Sequence, residues 1–162
     1  MRVVCPLAYS LFTLLAVLPA TTAADQASDR VELARRLRSA DRAVVATVQS
    51  VEPRLVRNRH GDVLIVSKVW LGVSEVVRGS SISSVSVDIE GGTLGGMTMR
   101  VSDLPEMKPG GRALFLLGQL PDGSARLANR GESILGIGAD DRLPGTDLSL
   151  RDVREVAQQV LR

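Results

Sequence analysis

The chain holds one histidine, His60, and one cysteine, Cys5, so catalytic and metal chemistry has few places to sit. His60 lies in the polar run Arg57-Asn58-Arg59-His60-Gly61-Asp62. A Ser–His–carboxylate relay would need a nucleophile set on a sharp turn, and no G-x-S-x-G elbow occurs. His60 is therefore expected to be an exposed turn residue. Zinc sites draw on several His or Cys ligands, so neither zinc nor another cofactor is expected. Gly91 and Gly96 have the spacing that opens a P-loop, but Met97 stands where that loop needs its lysine. The residues after it alternate like a strand instead of opening a helix. Gly136-Ile137-Gly138-Ala139-Asp140-Asp141 begins like a dinucleotide fingerprint and lacks its last glycine. Asp140, Asp141 and Asp147 could gather around calcium, though without the alternating ligands of an EF-hand. Asp88 and Glu90 sit two apart on one strand face and read as a solvated edge, not as glycosidase carboxylates across a cleft. No catalytic or metal-binding residue is assigned.

One segment suggests contact. Leu94, Met97, Met99 and Met107 fall in a stretch bracketed by glycines and prolines. Methionine adapts to irregular partners, and an apolar loop on a rigid scaffold is a plausible interaction surface. Gly92, Leu94, Gly95, Met97 and Met99 are the candidate binding residues. The other reading of these side chains is that they plug the end of a barrel.

The elements that would position this loop are mostly strands. Residues 28–39 predict a helix capped by Ser28 or Asp29, with Leu33, Leu37 and Ala40 inward. Arg30, Arg35, Arg36 and Arg38 would form its solvated face. From Asp41 the period becomes two, with β-branched residues on both faces, as in a strand covered on both sides. A second strand runs from Val63 to Val77, and its alternation slips within 72–77, which predicts a β-bulge. A third spans Ile82–Ile89. Lys108-Pro109-Gly110-Gly111 predicts a turn with a glycine at positive φ. Ala113–Leu117 predicts the most buried strand, and Leu120-Pro121-Asp122-Gly123-Ser124 a hairpin turn. Ser149 and Asp152 predict the capped start of a last helix, whose stripe includes Val153, Val156, Val160 and Leu161. The sum is a mainly β fold: a small five- to six-stranded antiparallel barrel of the OB type, with a helix at each end.

Residues 1–24 read as a signal peptide: a positive start at Met1-Arg2, an uncharged apolar run to Leu18, then Pro19 and small residues. The run is short for a membrane span, which needs roughly 20 residues. Export to the periplasm or beyond the cell is expected, with no stable span after cleavage. Residues 25–162 would then form one domain without cysteine or disulfide, large enough to bury about two-thirds of its unfolded surface. Its aromatic residues are Trp70 and Phe115. Charge is nearly balanced, with 20 Lys+Arg against 18 Asp+Glu. Without a basic face or stacking aromatics, nucleic acid is not an expected partner.

Ser39-Ala40-Asp41-Arg42-Ala43-Val44-Val45-Ala46-Thr47-Val48 resembles the opening strand of the netrin-like domain of tissue inhibitors of metalloproteinases. A long bulged strand ending in Val77-Arg78-Gly79, a strand pair joined around Pro121-Asp122-Gly123 and a terminal helix continue the resemblance across most of residues 39–160. It is one of pattern, and what it implies is an OB fold. Those inhibitors block a protease zinc with an N-terminal cysteine. Residues 25–162 contain none, so no inhibitory residue carries over.

The expected function is that of a non-enzymatic, exported interaction module that binds another exported protein, a protease among the candidates. The alternatives are a hydrolase of unfamiliar type using Asp or Glu with His60, and a calcium- or glycan-binding module.

Overall fold

The computed structural model describes residues 21–122 and 124–160. Most of the expected signal segment, the Gly123 of the expected hairpin turn and Leu161 lie outside the described residues. Helix α1 runs Thr21–Ser39, so it starts well before residue 28. Ser28 and Asp29 lie inside it and do not cap it. Asp29 instead accepts a hydrogen bond from the backbone N–H of Asp147, at 3.0 Å. Leu33, Leu37 and Ala40 are buried as their spacing predicts. The arginine face is not simply solvated. Arg30 pairs with Asp152 and Glu155, and Arg35 and Arg36 both pair with Glu32 and reach Glu132.

Strand β1 runs Arg42–Arg57 and β2 runs Val63–Arg78. They form one long antiparallel hairpin. In the turn between them Asn58 Oδ1 accepts from the N–H groups of both His60 and Asp62. Ala43 pairs with Arg78 and Val44 with Val76, which leaves Val77 unopposed. Val45 pairs with Glu75 and Ala46 with Val73, which leaves Ser74 unopposed. The expected bulge is therefore double, and such bulges bend and twist the strand that carries them.

Strand β3, Ser84–Glu90, pairs antiparallel with β2. Strands β4, Gly92–Leu94, and β5, Met97–Met99, make a separate small hairpin. Strand β6, Arg112–Gln119, pairs on one side with β1. On its other side it pairs with β7, Ala125–Leu127, and β8, Ile134–Gly136. The sheet order is β1-β2-β3-β7-β6-β8, with β1 also joined to β6. One pairing departs from the antiparallel expectation: β3 and β7 meet in parallel at Val87 and Ala125.

The main sheet separates two apolar clusters. Ala43, Val45, Leu114 and Leu116 face the helices, against Leu33, Leu37, Val153 and Val156. Val44, Ala46, Val48, Phe115 and Leu117 face the other way, against Val69, Leu71, Val87 and Ile89. Burial on both faces explains why Ala43–Val48 of β1 and Ala113–Leu117 of β6 are almost wholly apolar. Burying each large aliphatic or aromatic side chain contributes about 1.5–3 kcal/mol. Helix α2, Leu150–Val160, closes the first cluster.

Candidate functional site

A concavity lies beside the β4–β5 hairpin. It has a volume of about 520 Å³. Its floor comes from the inner faces of the long hairpin and β3, through Val51, Pro53, Ser67 and Ile89. Gly92, Thr93, Thr98 and Met99 of β4 and β5 form one wall, and Val101, Leu104, Pro105 and Met107 the other.

Each wall has a local cause. β4 and β5 turn on Gly95 and Gly96, whose φ values of 57° and 82° suit a two-residue hairpin that needs both residues left-handed. Gly92 has φ 134°, and a side chain there would overlap the Ser67 hydroxyl. Ser67 is 4% exposed, and its hydroxyl donates to the Gly91 carbonyl at 2.7 Å. Gly91 N–H in turn donates to the Ile65 carbonyl. These bonds seat the hairpin on β2. The 101–107 wall is held by the short 3-10 turn Arg130–Ser133. Gly131 sits so close to the Asp103 carbonyl that no Cβ would fit between them. Arg130 bridges Asp103 and Glu90, at 3.1 and 3.0 Å. Leu104 and Met107 then reach back onto the core.

The structure brings together two of the five candidate binding residues, Gly92 and Met99. Leu94, Gly95 and Met97 stand at the hairpin end outside the cleft lining, and Met97 is 56% exposed. Met107 packs on the core. Met97 is thus exposed, Met99 lines the cleft, and Met107 both lines the cleft and packs on the core. The cleft floor was not read from the sequence. Its one signal is Ser67, a polar residue in the inward series Ile65, Ser67, Val69, Leu71.

Several polar groups of the cleft already have partners within the chain. Ser67 Oγ is committed to a carbonyl, Glu90 to Arg130, and Glu106 to Lys108 at 3.4 Å. His60 is in the exposed β1–β2 turn, where its Nε2 accepts from Arg59. It lies past Arg57–Val63, itself four residue pairs beyond Pro53–Ser67, and so more than roughly 13 Å along the strands from the cleft floor. Asp140, Asp141 and Asp147 do not converge. Asp141 pairs with Arg112, Asp147 with Arg142, and Asp140 accepts from the Arg142 N–H. Among the described residues no three His, Cys, Asp or Glu side chains gather as metal ligands. Asp88 and Glu90 are not idle edge charges: they pair with Arg54 and Arg130.

The carboxyls held well below their usual range lie elsewhere. Glu32 is held at about 2, chiefly by Arg35 and then Arg36. Glu75 is lowered by Arg154, Asp122 by Ser124, and Asp152 by Ser149. Glu75 and Asp152 also join elements, through Arg154 and Arg30, and none of the four lines the cleft. No helix among the described residues is long and apolar enough to cross a membrane. Neither a protein-family model nor a curated protein matches the chain.

Proposed function

We propose that the protein is a non-enzymatic interaction module that holds a segment of another exported protein in the cleft beside the β4–β5 hairpin. The observation that carries this reading is the cleft's lining. Its volume falls in the range of functional pockets. Val51, Pro53, Ile89, Met99, Val101, Leu104 and Pro105 offer apolar contact, and the one buried hydroxyl is already bonded. Such a lining suits apolar side chains, and of its polar members Ser67, Glu90 and Glu106 already have partners within the chain. The hydrolase alternative relies on His60, which is remote from the cleft. The calcium alternative relies on aspartates that each have other partners.

The scaffold supports the same reading. Pairing runs from β1 through β2, β3, β7 and β6 back to β1, and we read this circuit as an OB-like barrel related in pattern to the netrin-like domain. The apolar segment before α1 would direct export and be removed. Nucleic acid does not suit the cleft, because no aromatic side chain lines it.

Affinity capture from the host's exported fraction tests the proposal. The bait is compared with a Thr98→Arg, Met99→Asp bait and a Leu94→Asp, Met97→Asp bait. One partner lost with the first variant and kept with the second places binding in the cleft. Equal capture by all three baits, or turnover of a substrate abolished by one serine or carboxylate change, overturns it.

A further inference from the structure

We propose that the tip of the β1–β2 hairpin is a docking element for an anionic lipid surface, separate from the cleft. The last β2–β3 pair is Val66 with Glu90. Beyond it β1 and β2 continue as a two-stranded arm, with Leu55 opposite Ile65 and Arg57 opposite Val63. Opposed residues share a face, as do residues two apart on one strand. Leu55, Arg57, Val63 and Ile65 therefore lie on one face. Ile65, at the base of the arm, is 5% exposed, whereas Leu55 opposite it and Val63 beyond it are 51% and 53% exposed. The inner face of the sheet thus ends in two neighbouring aliphatic side chains that this chain leaves uncovered.

The same tip is basic. Between residues 55 and 65 the charged groups are Arg57, Arg59 and Asp62, with His60 beside them. Neither Arg57 nor Arg59 has a carboxylate partner among the described residues. Arg57 instead donates to the Gly61 carbonyl at 2.6 Å. The turn also satisfies its own backbone: Asn58 N–H donates to Asp62 O, and Asn58 Oδ1 accepts from His60 and Asp62. A tip whose backbone is already bonded enters an interface without stranding polar groups. Aliphatic side chains seated at the headgroup boundary, with cations on the headgroups, are the general mode of peripheral membrane attachment. A nucleic acid would use the arginines but not Leu55 and Val63, and the tip has no aromatic residue for stacking.

Co-sedimentation of the full chain with phosphatidylcholine vesicles, with and without phosphatidylglycerol, tests this. The apolar run before α1 is the same in every variant, so differences between variants read the arm. Wild type is expected to prefer the anionic vesicles and to lose that preference at high salt. Arg57→Gln with Arg59→Gln should weaken binding to them about 25-fold, roughly fivefold per arginine. Leu55→Ser with Val63→Ser should weaken it at least tenfold. All these changes are at exposed positions, and an unchanged melting temperature checks that the fold is intact. Equal binding by wild type and both variants, or no preference for anionic vesicles, overturns the proposal. So does binding to a short DNA duplex that needs the arginines and ignores Leu55 and Val63, with no vesicle binding.

Discussion

Gly92 lies directly on Ser67: a side chain on the glycine would overlap the serine hydroxyl, which donates to the neighbouring Gly91 carbonyl at 2.7 Å. This contact joins the small β4–β5 hairpin to the long one and so forms a corner of the cleft. Gly92→Ala would bring both a backbone strained at φ 134° and a steric conflict. The expected loss is about 1–3 kcal/mol in chemical denaturation. Ser67→Ala removes the buried hydrogen bond and should cost about 1 kcal/mol. The two changes together should cost less than their sum, because the alanine at 67 leaves room for a Cβ at 92. Additive losses would show that the two residues do not act on each other.

Much of the strand framework was legible before any coordinates. The apolar residues on both faces of Ala43–Val48 reported a strand covered twice, and the slip within 72–77 reported the unopposed Ser74 and Val77. Gly110, with φ 85°, occupies the turn that Pro109 announces. The misses have physical reasons too. Residues 21–27 join α1 without an apolar stripe to mark them, and Asp29 looks like a cap because its long-range partner, Asp147, is invisible to local spacing. The sequence also does not mark how far β1 runs, through Pro53 opposite Ser67 to Arg57. The cleft was the least legible feature. It depends on Gly131 against Asp103 and on Gly92 against Ser67, contacts between distant segments that carry no periodicity.

The 101–107 wall should loosen when its anchor is changed. Gly131→Ala places a methyl group on the Asp103 carbonyl, so the 3-10 turn and the loop must separate. Hydrogen exchange at residues 101–107 should rise at least tenfold while β6 stays protected, as expected for a local opening. Unchanged exchange in that loop would mean that the Arg130 ion pairs hold the wall unaided.

Ser149 and Asp152 form a reciprocal cap at the start of α2. Ser149 N–H and Oγ donate to Asp152 Oδ2 at 2.8 and 2.6 Å, and Asp152 N–H donates back to Ser149 Oγ at 3.3 Å. Ser149→Ala should cost about 1 kcal/mol. Asp152→Ala should cost more, because Arg30 of α1 also loses a partner. An equal cost for both would exclude a contribution from Arg30.

Acid should destabilise the fold with a predictable sign. Asp152, held down chiefly by Ser149, and Glu32, held at about 2 chiefly by Arg35, both have folded values below their unfolded ones. The unfolded chain therefore binds more protons in acid. The stability Glu32 contributes is present above its usual 4.5 and is lost as pH falls toward about 2, and that of Asp152 is lost in the same acid direction. Denaturation midpoints measured across that window should fall with pH, and less steeply in Asp152→Asn. An identical slope in the variant would remove Asp152 from the account.

The central claim is that the cleft holds a polypeptide, and site-specific photocrosslinking in the living host tests it most directly. A photoreactive residue would replace Thr98 at the cleft wall, with Val31 on the outer face of α1, 71% exposed, as the control position. The account predicts one dominant protein adduct from position 98, absent from position 31 and suppressed by Val101→Arg on the opposite wall. No adduct from position 98, or the same adducts from both positions, would contradict it.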